Sequence, residues 1–168
     1  NRIRKNSSNI RDKNKLIYVG RLEKLFGVNL IIESFAQLTK EFSSLKLIIV
    51  GSGESELELR EMVKTYLLEK KVIFRGVIQN HLDLEYIISE CSMGFALYTS
   101  LQNSYKQFAD VGKPKLYMAC GLPVIITRTP PIANEIESAK AGIIVENDSK
   151  SVVSAVKRIL LDEELYEQ

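Results

Sequence analysis

Six short runs of aliphatic and β-branched residues recur along this chain, and what lies between them restricts the fold more than any other feature. The runs are KLIYVG (15–20), LKLIIV (45–50), VIFRG (72–76), MGFAL (93–97), PVIIT (123–127) and GIIV (142–145). Each is near-continuous in apolar character rather than alternating, which suits parallel strands covered on both faces. The segments between them carry helical spacing instead. Val28, Ile31, Ile32, Phe35 and Leu38 share one stripe, and Leu59, Met62, Val63, Tyr66 and Leu67 form a second. Leu84, Ile87, Ile88 and Cys91 make a third, and Val152, Ala155, Val156, Ile159 and Leu160 a fourth. A helix with one apolar stripe needs a sheet to lie on. Ser55 followed by Glu58 predicts a capping box at the start of the second helix. Strands alternating with helices through right-handed crossovers predict an α/β fold, a Rossmann-like doubly wound parallel sheet of about six strands.

The 168 residues suffice for one domain with a substantial core. A net charge of +2 supplies little attraction for a polyanion, and the basic residues form no stripe with interleaved aromatics. A nucleic-acid partner is therefore not expected. No apolar run reaches the length of a membrane span. Cys91 and Cys120 lack metal-ligand spacing and are expected as buried free thiols in a reducing compartment. With His81 as the sole histidine, no metal site is expected. The polar opening over 1–14 reads as a linker from a missing N-terminal domain, with the globular domain over 15–168. Both ends read as cut from a longer chain.

Ligands of doubly wound sheets bind beyond the carboxyl ends of the strands, where strand order reverses. The loops after residues 20, 50, 76, 97 and 127 are therefore the ones to read. The first, GRLEKLFG (20–27), carries Gly20 for a sharp turn and Arg21, whose planar fork suits a phosphate or an ordinary surface carboxylate. The second, GSGES (51–55), joins a strand to a helix whose opening N–H groups can hold an anion or simply make a tight turn. It lacks both the dinucleotide fingerprint and the GK[ST] of a P-loop, which counts against an NAD-dependent oxidoreductase. The long fourth connection carries Asp110, Gly112, Lys113 and Lys115 just before a short helix that stops at Gly121. Lysines at a helix start oppose the helix dipole unless an anion sits there too.

Taken in order, VGRL, LKLIIVGSGE, VIFRGVI, YIISECSMGFALYTS, KLYMACGLPVIIT and AGIIVEND resemble the family-4-type glycosyltransferases, from about Leu16 to Leu161. MACGLPVI is the most specific piece. The resemblance implies the carboxyl-terminal half of a two-domain GT-B architecture, the half that holds the sugar-nucleotide donor, here written as a UDP-type sugar. It implies transfer of a hexose-type sugar to a glycan or lipid-linked acceptor, the acceptor being held by the missing N-terminal half. It implies Arg21, Lys24 and Lys113 as the catalytic cations that stabilise the departing diphosphate. Gly51, Gly53, Gly76 and Val77 would border the nucleotide, and Asp110, Lys113, Lys115 and Leu116 would line the donor site. No cofactor is implied, and with no DxD-like pair metal-independent transfer is expected. A cytoplasmic location follows, with contact to the inner face of a membrane only through the longer protein.

Three positions depart from the family. The fifth residue after the Arg, a Lys in the family, is Phe26 here, with Lys24 close by as a substitute. The family's paired Glu residues fall on Phe108 and Leu116, which leaves Asp110 as the available acid. These losses favour one alternative, a non-catalytic sugar-nucleotide-binding module. The other alternative, a sugar-nucleotide 2-epimerase-like enzyme, shares the architecture but resembles a different set of His and Glu placements.

Overall fold

The computed structural model describes residues 11–99 and 112–161, so Phe108 and Asp110 lie outside the described residues. Six strands appear where the apolar runs predict them: β1 (Lys15–Val19), β2 (Lys46–Val50), β3 (Val72–Gly76), β4 (Met93–Ala96), β5 (Val124–Thr127) and β6 (Gly142–Val145). All pair in parallel in one sheet of order β3-β2-β1-β4-β5-β6. The order reverses between β1 and β4, which makes that gap the switch point.

The helices are α1 (Val28–Leu38), α2 (Glu56–Thr65), α3 (His81–Ser89), α4 (Gly112–Ala119), α5 (Ile132–Ser138) and α6 (Ser149–Leu161). Successive strand residues point to opposite faces, so the sheet feeds two cores. Leu16, Tyr18, Leu47, Ile49, Met93 and Phe95 bury against α1, α2 and α6. Ile17, Ile48, Val50, Ala96, Val124 and Ile126 bury against α3, α4 and α5. The predicted stripe of α1 is buried throughout, from Val28 to Leu38.

Two local expectations need correcting. The spacing predicts Leu67 on the α2 stripe, but α2 stops at Thr65 and Leu67 turns outward, 83% exposed, with a left-handed φ of 56°. Ser55 does cap α2, yet its side chain makes no capping hydrogen bond. Glu58, the other half of the expected box, faces Lys24 instead, with Nζ to Oε2 at 3.7 Å. The thiols of Cys91 and Cys120 are buried and free. Burial pushes both up, to about 12 and about 11.

Residues 11–14 lie against the domain. Arg11 Nη2 donates to the Cys120 carbonyl at 3.0 Å, and the Asp12 N–H donates to the Glu90 carbonyl at 3.1 Å. Among the described residues no helix is long and apolar enough to cross a membrane.

Candidate functional site

The loops after β1 and β2 are laced together by backbone. Gly20 N–H donates to the Val50 carbonyl, Leu22 N–H to Ser52, and Ser55 N–H to Leu22, at 2.9, 3.0 and 2.9 Å. The lacing explains two glycines. A Cβ on Gly51, whose φ is 133°, would run into the Gly20 carbonyl, and one on Gly53 into the Leu22 backbone. Both glycines thus let one loop lie on the other. Gly76, at a φ of 65°, has no atom within 4 Å of its Cβ position and opens to the carboxyl edge beside the exposed Val77.

From the other face of the sheet, α4 is anchored at the switch point by Tyr117. Its hydroxyl accepts from Val19 N–H at 2.8 Å and donates to the Phe95 carbonyl at 3.2 Å, tying α4 to both β1 and β4. The ring is fully buried over Gly94, where a Cβ would meet it at 2.5 Å. Gly121, at a φ of 75°, ends the helix as expected.

So anchored, α4 sends Lys113 across the end of β1. Its Nζ lies 4.0 Å from the ring centre of Phe26, 4.8 Å from Tyr18 and 5.2 Å from Tyr98. Phe26 belongs to a 3₁₀ turn over Lys24–Phe26, and its ring meets that of Tyr98 edge-on at 6.1 Å. Tyr98 is fixed in turn, because its N–H donates to Thr127 Oγ1 at 3.0 Å. Next to it, Thr99 is bound through its N–H to the Leu25 carbonyl and through Oγ1 to the Lys24 carbonyl, both at 3.0 Å. A cation over aromatic faces is stabilised by the ring quadrupoles. Those rings also strip it of water, so burial pushes Lys113 down to about 7. Glu23 offsets this in part. Gly20 makes room for the arrangement, since a Cβ there would sit 3.1 Å from both Lys113 Nζ and Tyr18 Oη.

The other sequence-derived candidates are distributed around this point. Arg21 is exposed and pairs through Nε with Glu23 Oε1 at 2.7 Å. Lys24 borders a cleft of about 420 Å³ at the starts of α1 and α2, together with Glu23, Asn29, Ser55, Glu58 and Thr99. Lys115 is exposed on α4, and Leu116 is half-buried against the second core. Gly20, Arg21 and Lys113 thus meet at the switch point, Gly76 and Val77 open onto the same edge, and Lys24 turns toward α2. The sequence did not mark Tyr18, Tyr98 or Tyr117 as site residues. All three stand in strands, helices or turns as ordinary core aromatics, and only their long-range contacts distinguish them.

A doubly wound sheet with a caged cation and a helix start at its switch point belongs to the class of α/β domains that take ligands at the carboxyl edge. The family is more definite. A family model described as Glycosyl transferases group 1 matches residues 13–162, and the chain belongs to that family. The N-acetyl-alpha-D-glucosaminyl L-malate synthase of Bacillus anthracis is 28% identical over 159 residues, a match covering 90% of this chain and 37% of that protein. The N-acetylgalactosamine-N,N'-diacetylbacillosaminyl-diphospho-undecaprenol 4-alpha-N-acetylgalactosaminyltransferase of Campylobacter jejuni is 31% identical over 152 residues, covering 89% of this chain and 38% of that one. This chain therefore spans little more than a third of these relatives. Among solved structures, the pneumococcal O-GlcNAc transferase GtfA in complex with UDP and GlcNAc shares the fold, with a TM-score of 0.79 at 21% identity. That match covers 95% of this chain and 31% of GtfA.

Proposed function

We propose that this chain is the donor-binding half of a GT-B glycosyltransferase. The whole protein would transfer a hexose-type sugar from a nucleoside diphosphate to a glycan or lipid-linked acceptor. The observation that carries the reading is Lys113, whose ammonium is held over Gly20 at the switch point by three aromatic rings. Carbohydrate transfer breaks the bond between the anomeric carbon and the β-phosphate oxygen, so the departing diphosphate gains negative charge. A preorganised cation aimed at that charge lowers the barrier. Lys113 supplies one such cation and Arg21, once released from Glu23, a second. Lys24 and Lys115 are further candidates at the rim, and Gly76 with Val77 is the proposed border of the base. Asp110 is the candidate acid for the ribose hydroxyls on sequence grounds. Support comes from the relatives, one named as an N-acetyl-alpha-D-glucosaminyl L-malate synthase and the other as an N-acetylgalactosaminyltransferase with a diphospho-undecaprenol-linked sugar in its name. Further support comes from the UDP in the GtfA structure.

Calorimetric titration of the chain with UDP, GDP and ADP tests this. At least one should bind, and Lys113→Gln and Arg21→Ala should each weaken that binding by about 1–3 kcal/mol, the range for a hydrogen bond to a charged group. Binding that survives both changes would move the diphosphate elsewhere.

A further inference from the structure

We propose that Tyr18 is a positioning residue, whose hydroxyl joins Lys113 to the backbone of Arg21 so that both cations face one diphosphate. This rests on the donor-binding reading above.

The hydroxyl of Tyr18 has one proton to give, and it donates to the Arg21 carbonyl at 2.7 Å. What remains toward Lys113 is a lone pair, and Lys113 Nζ donates to it at 3.3 Å. The chain of hydrogen bonds therefore runs one way, from the ammonium through the phenol to the carbonyl. Burial pushes the Tyr18 phenol well up, so the proton that fixes this direction stays in place. The phenol is thus an orienting group and not a base.

A lysine needs such an anchor. Its four-carbon stem has many rotamers, and a caged ammonium gains from aromatic faces without a preferred direction. Phe26 and Tyr98 supply faces, whereas Tyr18 supplies the directional contact. Arg21 gains one as well, because its exposed side chain is held by Glu23, the group a diphosphate would displace, whereas the bond from Tyr18 fixes the backbone from which it projects. Gly20 lies between the two, with no side chain to separate them. Among the described residues, the charged and titratable groups facing Lys113 are Tyr18 from β1, Glu23 from the following loop and Tyr98 from the end of β4.

Core packing would be served equally well by phenylalanine, so Tyr18→Phe isolates the hydroxyl. UDP is the probe, titrated into the 168-residue chain as wild type, Tyr18→Phe, Lys113→Gln and the double variant, with circular dichroism confirming folding. A parallel readout follows Lys113 in the free protein by NMR across pH 5 to 10. The expected result is a loss of about fivefold in UDP affinity for Tyr18→Phe, as for one hydrogen bond. In the Lys113→Gln background the same change should cost less than about twofold. Lys113 should titrate at lower pH in free Tyr18→Phe, because the ammonium has lost its acceptor. Equal losses in both backgrounds, or an unchanged Lys113 titration, would overturn the role of Tyr18. Absence of wild-type binding to UDP, GDP and ADP alike would overturn the functional reading instead, a distinct outcome because the NMR titration still reports the Tyr18–Lys113 link. If only GDP or ADP binds, that nucleotide takes the place of UDP as the probe.

Discussion

The Lys113 ammonium lies 4.0 Å from the centre of the Phe26 ring. The resemblance to the family-4-type glycosyltransferases implies a lysine on the first loop where this chain has Phe26, and here the Phe26 ring supports the lysine of α4 instead. An ammonium enclosed by aromatic faces is less hydrated than one on a loop.

Donor binding should therefore depend on pH in a defined direction. Lys113 is held at about 7 in the free protein, and a diphosphate bound beside it, as proposed above, should restore its charge. Above that pH binding takes up a proton, so UDP affinity should fall as pH rises, by up to about tenfold per unit. Calorimetry at pH 8 in buffers of different ionisation enthalpy should show proton uptake in the wild type. Lys113→Arg should bind UDP with little uptake, since arginine stays charged. A flat profile in the wild type would place the phosphates away from Lys113.

Folding stability responds in the opposite sense. Between about 7 and the ordinary lysine value of 10.5, the unfolded chain holds a proton on Lys113 that the folded one has lost. More protons bound in the unfolded state means that stability rises with pH through this window. Urea unfolding at pH 7 and pH 9 should show that gain, and Lys113→Gln should reduce it.

Three glycines of the carboxyl-edge loops should separate under substitution. Gly51→Ala and Gly53→Ala force a Cβ into the backbone of Gly20 and Leu22, atoms that cannot rotate away. Each should destabilise by more than about 2 kcal/mol. Gly76→Ala meets open space and carries only the cost of its left-handed φ, about 1 kcal/mol. If thermal unfolding ranks Gly76→Ala as the worst of the three, the interlaced loops are not what demands Gly51 and Gly53.

Much of this architecture was legible before any coordinates. The strands were readable because a parallel sheet covered on both faces demands continuous apolar runs, and KLIYV or LIIV can hardly serve otherwise. The site was readable in part. Arg21, Lys113 and Gly20 could be assigned to connections at the carboxyl edge of the sheet, but the strand order that makes β1 and β4 neighbours, and so brings them to the switch point, could not be read. The cage could not, because Tyr18, Phe26, Tyr98 and Lys113 come from four separate stretches and share no spacing. Phe26 looked like a missing lysine and acts as a support for another. The roles of Gly51 and Gly53 were obscured for a similar reason: a glycine needed by a ligand and one needed by a neighbouring loop look the same in sequence.

Tyr117 should prove a sensitive structural residue near the site. It is fully buried, and Tyr117→Phe would leave the Val19 N–H and the Phe95 carbonyl without their partner. The expected loss is about 1–3 kcal/mol. Gly94→Ala disturbs the same side chain at its ring, driving a methyl into it and displacing the hydroxyl from its partners. Because both changes act through the Tyr117 hydroxyl's position, their effects on unfolding free energy should be non-additive. Additive losses would mean that α4 is held at the switch point mainly by its other apolar contacts.

Glu23 offers the sharpest test of how Arg21 participates. Its carboxylate is mostly buried, with the side chain 17% exposed, and it holds Arg21 Nε at 2.7 Å. An incoming diphosphate meets that negative charge and competes with it for the guanidinium. Glu23→Gln keeps the shape, removes the charge and leaves Arg21 only a neutral acceptor, so UDP should bind about threefold more tightly at pH 6.5, the scale of one partly exposed ion pair. The gain should vanish in an Arg21→Ala background if it runs through that side chain. It should also shrink toward pH 8.5, because Glu23 supports the charge on Lys113 and its removal makes that lysine harder to protonate. Weaker binding at pH 6.5 would show instead that Glu23 holds part of the nucleotide itself, as an acceptor for its hydroxyls.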